Sequence, residues 1–224
     1  MLISVSRDDL NRLVLRQLSS LLMFEPKVDD NLHLTRSIDE SLERVEYCFS
    51  HSRNKYFRRN DDVYFDVCHT DQYAMFLYFL SNTLYRTFDS TLLATKIYYL
   101  NKILHSIDVY FEVELPSIFM FGHPLGTVLG RAKYGNYLVV LQHCTVGSNR
   151  GIYPELGEGI VLYAGASILG QCSIGDNSCL AANVLVKDQD IPPNSVVFGT
   201  SPYLAIKECK SPVIETYFTK DTDA

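Results

Sequence analysis

The sequence predicts an α+β fold in which a helical amino-terminal domain is followed by a parallel β-helix. Two observations predict it. Apolar residues recur at an interval of six from residue 156 onward, and the chain before residue 106 is poor in glycine and carries helix-start signals. We therefore expect a helical domain over 1–105, a β-helix over 106–206 and a carboxyl-terminal tail over 207–224.

The helical domain is predicted to contain four helices. Two segments, Ser6-Arg7-Asp8-Asp9 and Ser37-Ile38-Asp39-Glu40, resemble capping boxes, in which a hydroxyl and an acid bind free amides at a helix start. The first helix should therefore begin after Ser6 and end before Glu25-Pro26, and the second should begin at Ser37. The other two are expected near Thr70-Asp71 to Leu84, and from Asp89-Ser90 to about His105. Both are almost apolar all round, so they should be buried on several faces, either against each other or across a subunit interface.

The β-helix is predicted by the six-residue period. Apolar residues recur every three to four positions in an amphipathic helix and every two positions in a strand. A period of six fits neither and is typical of a stacked solenoid. Small or β-branched residues follow most repeat positions by four, where tight corners need them. These corner residues are Ala166, Cys172, Ser178, Val184 and Val196. The repeat positions themselves are Leu156, Leu162, Ile168, Ile174, Leu180, Val186, Pro192, Phe198 and Leu204.

Composition and charge exclude several classes of protein. The net charge of −6 argues against nucleic acid as a partner, because binding to phosphates needs a basic surplus. The residues after Met1 lack the layout of a secretory signal, and no apolar stretch has membrane-spanning length, so we expect a cytoplasmic protein without a transmembrane segment. The six cysteines form no CxxC pair, which predicts reduced packing residues and no metal site.

The best candidate for a catalytic group is His123, which lies between Gly122 and Pro124 on backbone too irregular for a core strand. An imidazole titrates near neutral pH and suits a general base. Asp108 lies fifteen residues earlier. Because one coil takes about 18 residues and layers are about 4.8 Å apart, the two side chains can lie on adjacent layers, where the carboxylate could orient the ring. His143 is a rival base about one coil further on.

Two polar segments interrupt the predicted elements. The repeat breaks between Val146 and Leu156, a gap of ten residues that predicts an extruded loop over 147–155, and such loops commonly form binding sites. The stretch from Arg53 to Asp62 is the only concentrated basic segment, and it fits either a solvated loop or a surface that meets an anionic substrate.

These residues carry a family resemblance. The second half resembles hexapeptide-repeat acyltransferases, and the chain from about Thr70 to Lys207 resembles serine O-acetyltransferases. The segment Leu100–Asp108 is similar to the family's Leu-Asn-Arg-x-Leu-His-x-x-Asp, whose Asp is catalytic, and His123 matches the catalytic His at the same spacing. Asp71 resembles the acid that contacts the substrate serine. The resemblance implies a left-handed β-helix and direct transfer from acetyl-CoA, with His123 as base and Asp108 holding its ring.

The resemblance also implies the cofactor site and the assembly. In the family, CoA lies in the groove between neighbouring β-helices, where small residues admit its pantetheine arm. This arrangement implies a homotrimer, which the apolar helical domain could pair into a dimer of trimers. The matching small residues, with two lysines for the phosphates, are Ala164, Gly165, Ala181, Ala182, Lys187 and Lys207.

The chain departs from the family at two substrate-binding positions. Gly122 stands where the family usually has Asp, and Tyr153 stands where a substrate-binding His is expected. Together with Asp71 and His143 they are the candidate acceptor-binding residues. Three functions therefore stay open: O-acetylation of serine or a similar small acceptor, acetylation of a sugar or nucleotide-sugar for surface polysaccharide, and a non-catalytic scaffold. The end of the chain, Thr222-Asp223-Ala224, lacks the terminal Ile that docks into the family's cysteine-synthesis partner enzyme, so that partnership is not predicted.

Overall fold

The computed structural model describes residues 1–219, and its helical region contains four α-helices and a small three-stranded sheet. Ser6 caps the first helix as predicted, since its hydroxyl oxygen accepts a hydrogen bond from the Asp9 amide at 3.1 Å. The third and fourth helices also begin where the sequence predicts. The elements are β1 (Leu2–Ile3), α1 (Arg7–Leu22), α2 (Val28–Ser50), β2 (Arg58–Arg59), β3 (Asp62–Phe65), α3 (Thr70–Phe88) and α4 (Thr91–His105).

The prediction that the second helix begins at Ser37 is wrong, because α2 begins at Val28. The Asp30 carboxylate accepts a hydrogen bond from the Lys27 amide at 2.9 Å. The Lys27 carbonyl accepts one from the Asn31 amide at 3.1 Å, which closes the first turn. An acid at the third helical position thus binds a free amide without a hydroxyl at the cap. Ser37 is buried inside the helix.

Helix α3 is the centre of the helical region, where α2 and α4 pack against it. Every residue from Asp71 to Leu84 is buried, as its apolar sequence predicts. Within one chain, helix α4 is buried on one side only and not on several faces as predicted. Leu92, Tyr99 and Ile103 on its outer side are 60%, 52% and 41% exposed. Among residues 1–219, no helix is both long enough and apolar enough to cross a membrane.

Between residues 106 and 219 fourteen strands follow, and most of them stack in parallel as the three faces of a prism. The first face contains β5, β8, β11, β14 and β16, the second β4, β6, β9, β12 and β15, and the third β7, β10 and β13. The chain passes from the first face to the second and then to the third in each coil. The strands are β4 (Asp108–Val109), β5 (Phe119–Phe121), β6 (Val128–Leu129), β7 (Lys133–Tyr134), β8 (Leu138–Val140), β9 (Thr145–Gly147), β10 (Glu155–Leu156), β11 (Ile160–Leu162), β12 (Ser167–Leu169), β13 (Ser173–Ile174), β14 (Ser178–Leu180), β15 (Leu185–Lys187), β16 (Ser195–Thr200) and β17 (Tyr203–Glu208).

The strand register confirms the coil length and the extruded loop. Ile160 pairs with Ser178, eighteen residues later, as three six-residue repeats require. Thr145 pairs with Ser167, twenty-two residues later, because that coil contains the loop over 147–155. The loop therefore projects between the second and third faces.

The six-residue repeat is confirmed up to Val186 and wrong beyond it. The repeat positions from Leu156 to Val186 are buried in the prism, but Pro192 is exposed and Phe198 is 39% exposed. Ile191 and Val197 take the inward places instead, so the repeat shifts by one residue. Leu204, the last predicted repeat position, lies on β17, which pairs antiparallel with β16. The same shift leaves Val196 only half-buried and makes Ser195 the inward corner residue.

Residues after β17 cross the first face and join the helical region. Helix α5 (Val213–Tyr217) begins where the Val213 amide donates to the Asn177 side chain at 2.8 Å. Phe218 is fully buried, with its ring 5.5 Å from that of Tyr137. The Arg53 amide donates to the Tyr217 carbonyl at 2.9 Å. The residues Thr222-Asp223-Ala224 lie outside the described part of the chain.

The basic segment over 53–62 is folded into the helical region. It forms a 3₁₀ turn (Lys55–Phe57) and the antiparallel pair β2–β3, whose two-residue turn has positive φ. The Arg58 guanidinium donates to the Ser50 carbonyl at 2.8 Å, and that of Arg53 donates to the Phe218 carbonyl at 2.7 Å. These two arginine side chains therefore bind backbone carbonyl groups of their own chain.

Candidate functional site

Most of the predicted site residues lie at one edge of the prism. This edge, the first corner, consists of the turns that join the first face to the second: 122–127, 141–144, 163–166 and 181–184. Each turn contains a residue with left-handed backbone, at Gly126, His143, Gly165 and Asn183 in successive layers. The predicted residues at this corner are Gly122, His123, His143, Ala164, Gly165, Ala181 and Ala182.

His123 is held by the backbone of its turn and has no packing role. Its φ is 51°, which costs a residue with a Cβ about 1–2 kcal/mol, and its side chain is 85% exposed. The Gly122 amide donates to the Val140 carbonyl at 2.9 Å, and the Leu125 amide donates to the His123 carbonyl at 2.7 Å. These bonds thus fix the backbone of the turn, which presents the imidazole to solvent.

Asp71 is the carboxylate that faces His123. It lies in the first turn of α3, is 8% exposed, and its Oδ2 is 4.0 Å from Nδ1 of His123. Within residues 1–219, no hydrogen bond reaches this carboxylate. Buried carboxylates normally have several donors, although the start of a helix also favours negative charge. Asp71 is therefore available to bind a donor from a ligand.

His105, at the end of α4, lies within electrostatic reach of Asp71. Its Nδ1 is 2.7 Å from Oδ1 of Asn101, and its ring is 5.8 Å from that of Tyr73. Burial lowers the pKa of His105 to about 4, although the negative charge of Asp71 opposes this shift. Sequence reasoning assigned no role to His105. The signal was the spacing of four between Asn101 and His105 on one helix face, just before Asp108.

Asp108 lies one layer from His123 at the same corner, as predicted, since its amide donates to the Thr127 carbonyl at 2.8 Å. Its carboxylate accepts hydrogen bonds from the Tyr98 hydroxyl at 2.7 Å and the Lys102 ammonium at 2.5 Å. Partial burial alone would raise the pKa of Asp108, but these hydrogen bonds outweigh it and hold the pKa below its usual value. In the described chain no ion pair or hydrogen bond joins Asp108 to His123. Their pairing stays a prediction.

His143 lies in the next layer from His123 and packs over Gly126. A Cβ on Gly126 would lie 2.5 Å from Nδ1 of His143, so the imidazole occupies the space that the glycine leaves. Gly165 and Asn183 repeat this arrangement two layers further on, because a Cβ on Gly165 would lie 2.3 Å from Oδ1 of Asn183. The small size of Gly165 is therefore required by corner packing, whereas Ala182 is exposed at the same edge.

Three predicted residues lie away from the first corner. Tyr153 is on the extruded loop, with its ring beside Gly130, and Lys187 ends β15. Lys187 lines a cleft of about 480 Å³ with the loop residues Asn149 and Arg150. A strand of three residues, about 10 Å, separates this edge from the first corner. Lys207 is on β17, with Nζ 5.4 Å from the centre of the Phe198 ring. One chain alone does not bring these side chains to His123.

All six cysteines are free thiols. Cys48, Cys144 and Cys172 are buried, as predicted for packing residues, whereas Cys68 is exposed and Cys179 and Cys209 are partly exposed. Within residues 1–219, no group of three or more His, Cys, Asp or Glu side chains is arranged to hold a metal ion.

Comparison with known proteins relates the chain to serine acetyltransferases. No family profile matches it. A serine acetyltransferase of Mycobacterium tuberculosis is 26% identical over 137 residues, which are 59% of this chain and 59% of that protein. The chain therefore spans less than two thirds of the length of this curated relative.

Solved structures of serine acetyltransferases share the fold. The Neisseria gonorrhoeae enzyme in complex with serine has a TM-score of 0.61 and 23% identity, covering 83% of this chain and 79% of that one. A serine acetyltransferase in complex with CoA has a TM-score of 0.67 and 18% identity, covering 88% and 83%. The chain is thus similar in sequence to serine acetyltransferases and shares their succession of a helical region and a parallel β-helix.

Proposed function

We propose that this protein is an acetyl-CoA-dependent O-acetyltransferase whose acceptor is serine or a closely similar amino alcohol. The observation that carries the proposal is the buried Asp71 carboxylate, which has no hydrogen-bond donor and lies 4.0 Å from the exposed imidazole of His123. An ammonium group supplies the donors and the positive charge that such a carboxylate lacks. An acceptor bound in this way would hold its hydroxyl beside His123.

The reaction would be a single transfer. His123, as the neutral imidazole, takes the proton of the acceptor hydroxyl while the hydroxyl oxygen attacks the thioester carbonyl of acetyl-CoA. A C–O bond forms, the C–S bond breaks, and the proton passes to the CoA sulfur. A positioned general base of this kind contributes about 10²–10⁴-fold in rate. Asp108, fixed by Tyr98 and Lys102 in the adjacent layer, would orient the ring and stabilise its charged form.

The first corner offers a surface that fits a narrow acyl carrier. Ala164 and Ala181 are partly exposed there and Ala182 is exposed, so small side chains form part of this edge. The relative solved with CoA supports acetyl-CoA as the donor. A neighbouring copy in a homotrimer would bring to this edge its own corner between the second and third faces, where Tyr153 and Lys187 lie. The exposed apolar side of α4 could then pair two trimers.

The test is release of free thiol from acetyl-CoA with serine and with a panel of amino and deoxy sugars. Serine-dependent release that is lost in His123→Ala supports the proposal. Asp71→Asn should raise KM for serine by about 10- to 100-fold, the value of a hydrogen bond to a charged group, and leave KM for acetyl-CoA unchanged. Asp8→Asn, which removes an exposed carboxylate from the first turn of α1, is the matched control. Release driven by sugars alone, or an unchanged KM in Asp71→Asn, would contradict the proposal.

A further inference from the structure

The mechanism above leaves one partly buried imidazole unused. His105 packs against α3 through Tyr73 and lies within electrostatic reach of Asp71. A partly buried titratable side chain near a carboxylate that is proposed to bind the acceptor is a candidate for a functional role, provided that its hydrogen bonds define what it offers to a ligand.

The hydrogen bonds of Asn101 define which nitrogen of His105 carries the proton. The Asn101 Nδ2 donates to the Ala74 carbonyl at 2.9 Å, which turns Oδ1 of the same amide toward His105. Oδ1 can only accept, so the Nδ1 of His105, 2.7 Å away, must carry the hydrogen. Nε2 of the neutral ring then keeps its lone pair and can only accept. In the described chain no donor hydrogen-bonds to Nε2.

Two acceptors thus lie near one another without donors. The Asp71 carboxylate is one and Nε2 of His105 is the other, and neither is sealed from solvent, so a donor from a ligand can reach both. A hydroxyl offers one donor, whereas an ammonium group offers three and a positive charge. The pair is therefore matched to a primary ammonium group.

Resting on the proposed function, we propose that His105 determines acceptor specificity by accepting a hydrogen bond at Nε2 from the ammonium group of the acceptor, beside Asp71. The substrate class is hydroxyl compounds that carry a primary amine.

The first test needs no variant. In ¹⁵N-labelled wild-type protein, long-range ¹H–¹⁵N correlation spectra report which ring nitrogen of His105 is protonated. We expect Nδ1–H and a bare Nε2 at pH 7, and a shift of the Nε2 resonance when serine is added. A proton on Nε2, or no response of this resonance to saturating serine, would overturn the inference.

The second test uses two variants and two acceptors. His105→Phe keeps a flat ring but removes the acceptor, whereas His105→Gln places an amide oxygen near the position of Nε2. The ratio of kcat/KM for serine to that for 3-hydroxypropionate, which lacks the amine, should fall about tenfold in His105→Phe, through KM for serine, and should be largely kept in His105→Gln. An unchanged ratio in a folded His105→Phe overturns the inference, with folding checked by circular dichroism.

Serine binding by calorimetry separates this inference from the proposed function. Wild-type protein that binds serine more tightly than His105→Phe does, yet releases no thiol, supports the role of His105 and overturns the acetyltransferase proposal. Turnover of serine with the same affinity in both proteins overturns the role of His105 and leaves the acetyltransferase proposal intact. Wild-type protein that does not bind serine overturns both.

Discussion

The pKa of His105 predicts a loss of stability in mildly acidic solution. Burial lowers it to about 4, whereas an unfolded chain has a histidine pKa of about 6.5. Between these values the unfolded state binds more protons than the folded state, so stability falls as pH drops from 6.5 toward 4. Between pH 7.5 and pH 5.0, these two pKa values correspond to a loss of about 2 kcal/mol in the free energy of unfolding. Because the ring keeps some contact with water, we expect 1–2 kcal/mol, as an order of magnitude.

The assay is urea unfolding at pH 7.5 and pH 5.0, at one fixed protein concentration, for wild type and His105→Gln. The difference between the two pH values should be about 1–2 kcal/mol larger in wild type than in the variant, because other titrating groups contribute equally to both. His33→Gln removes a partly exposed imidazole of α2 and should keep the wild-type difference. If His105→Gln loses as much stability on acidification as wild type does, His105 is not a buried neutral residue.

Three further predictions concern packing and the acceptor site. Gly157→Ala would place a Cβ 2.1 Å from Oδ1 of Asp176 and should lower the free energy of unfolding in urea by about 2–3 kcal/mol. Gly122→Ala, whose new Cβ would have its nearest neighbour 3.7 Å away, should lower it by less than about 0.5 kcal/mol. Equal losses in the two variants would contradict this packing. Phe218→Ala empties a fully buried site beside Tyr137 and should lower the free energy of unfolding by about 3 kcal/mol. It should also make the carboxyl-terminal segment susceptible to limited proteolysis. A segment that stays resistant would show that other contacts hold it. In Gly122→Asp the new Cβ would have Leu141 as its nearest neighbour, at 3.7 Å, and the added carboxylate would lie beside the proposed base, so KM for serine in the thiol assay should fall several-fold. An unchanged KM would place the ammonium group away from residue 122.

The β-helix could be predicted because its core and its corners repeat in the sequence. The failure after Val186 has a local cause. Ile191 and Pro192 are adjacent apolar residues, and either could fill the next inward position by composition. The Ile191 amide donates to the Ser173 carbonyl at 2.9 Å, and a proline has no amide to donate. Hydrogen bonding between the strands therefore requires Ile191 and not Pro192 at the inward position, and a count of six residues alone does not predict this.

The candidate site could be predicted only as far as the repeat extends. Coil length places His123 and Asp108 in adjacent layers of one corner, as observed. The approach of Asp71 to His123 depends on how α3 packs across that corner, and no sequence spacing encodes it. The partners of Asp108, in contrast, could have been predicted from the sequence. Tyr98 and Lys102 are one turn apart on α4, directly before the first strand of the β-helix, so their spacing carried a signal.

The path of the carboxyl-terminal segment has a consequence for the order in which the chain can fold during synthesis. Arg53 belongs to the early helical region, yet its guanidinium binds the Phe218 carbonyl, 165 residues later. At about 5–20 residues per second, a ribosome needs about 10–30 s to make the intervening chain. Through that interval Arg53 lacks its native partner and the first face of each new coil is uncovered. A nascent chain halted before residue 212 should therefore expose both to chaperones and proteases, although its helices and most coils are already made.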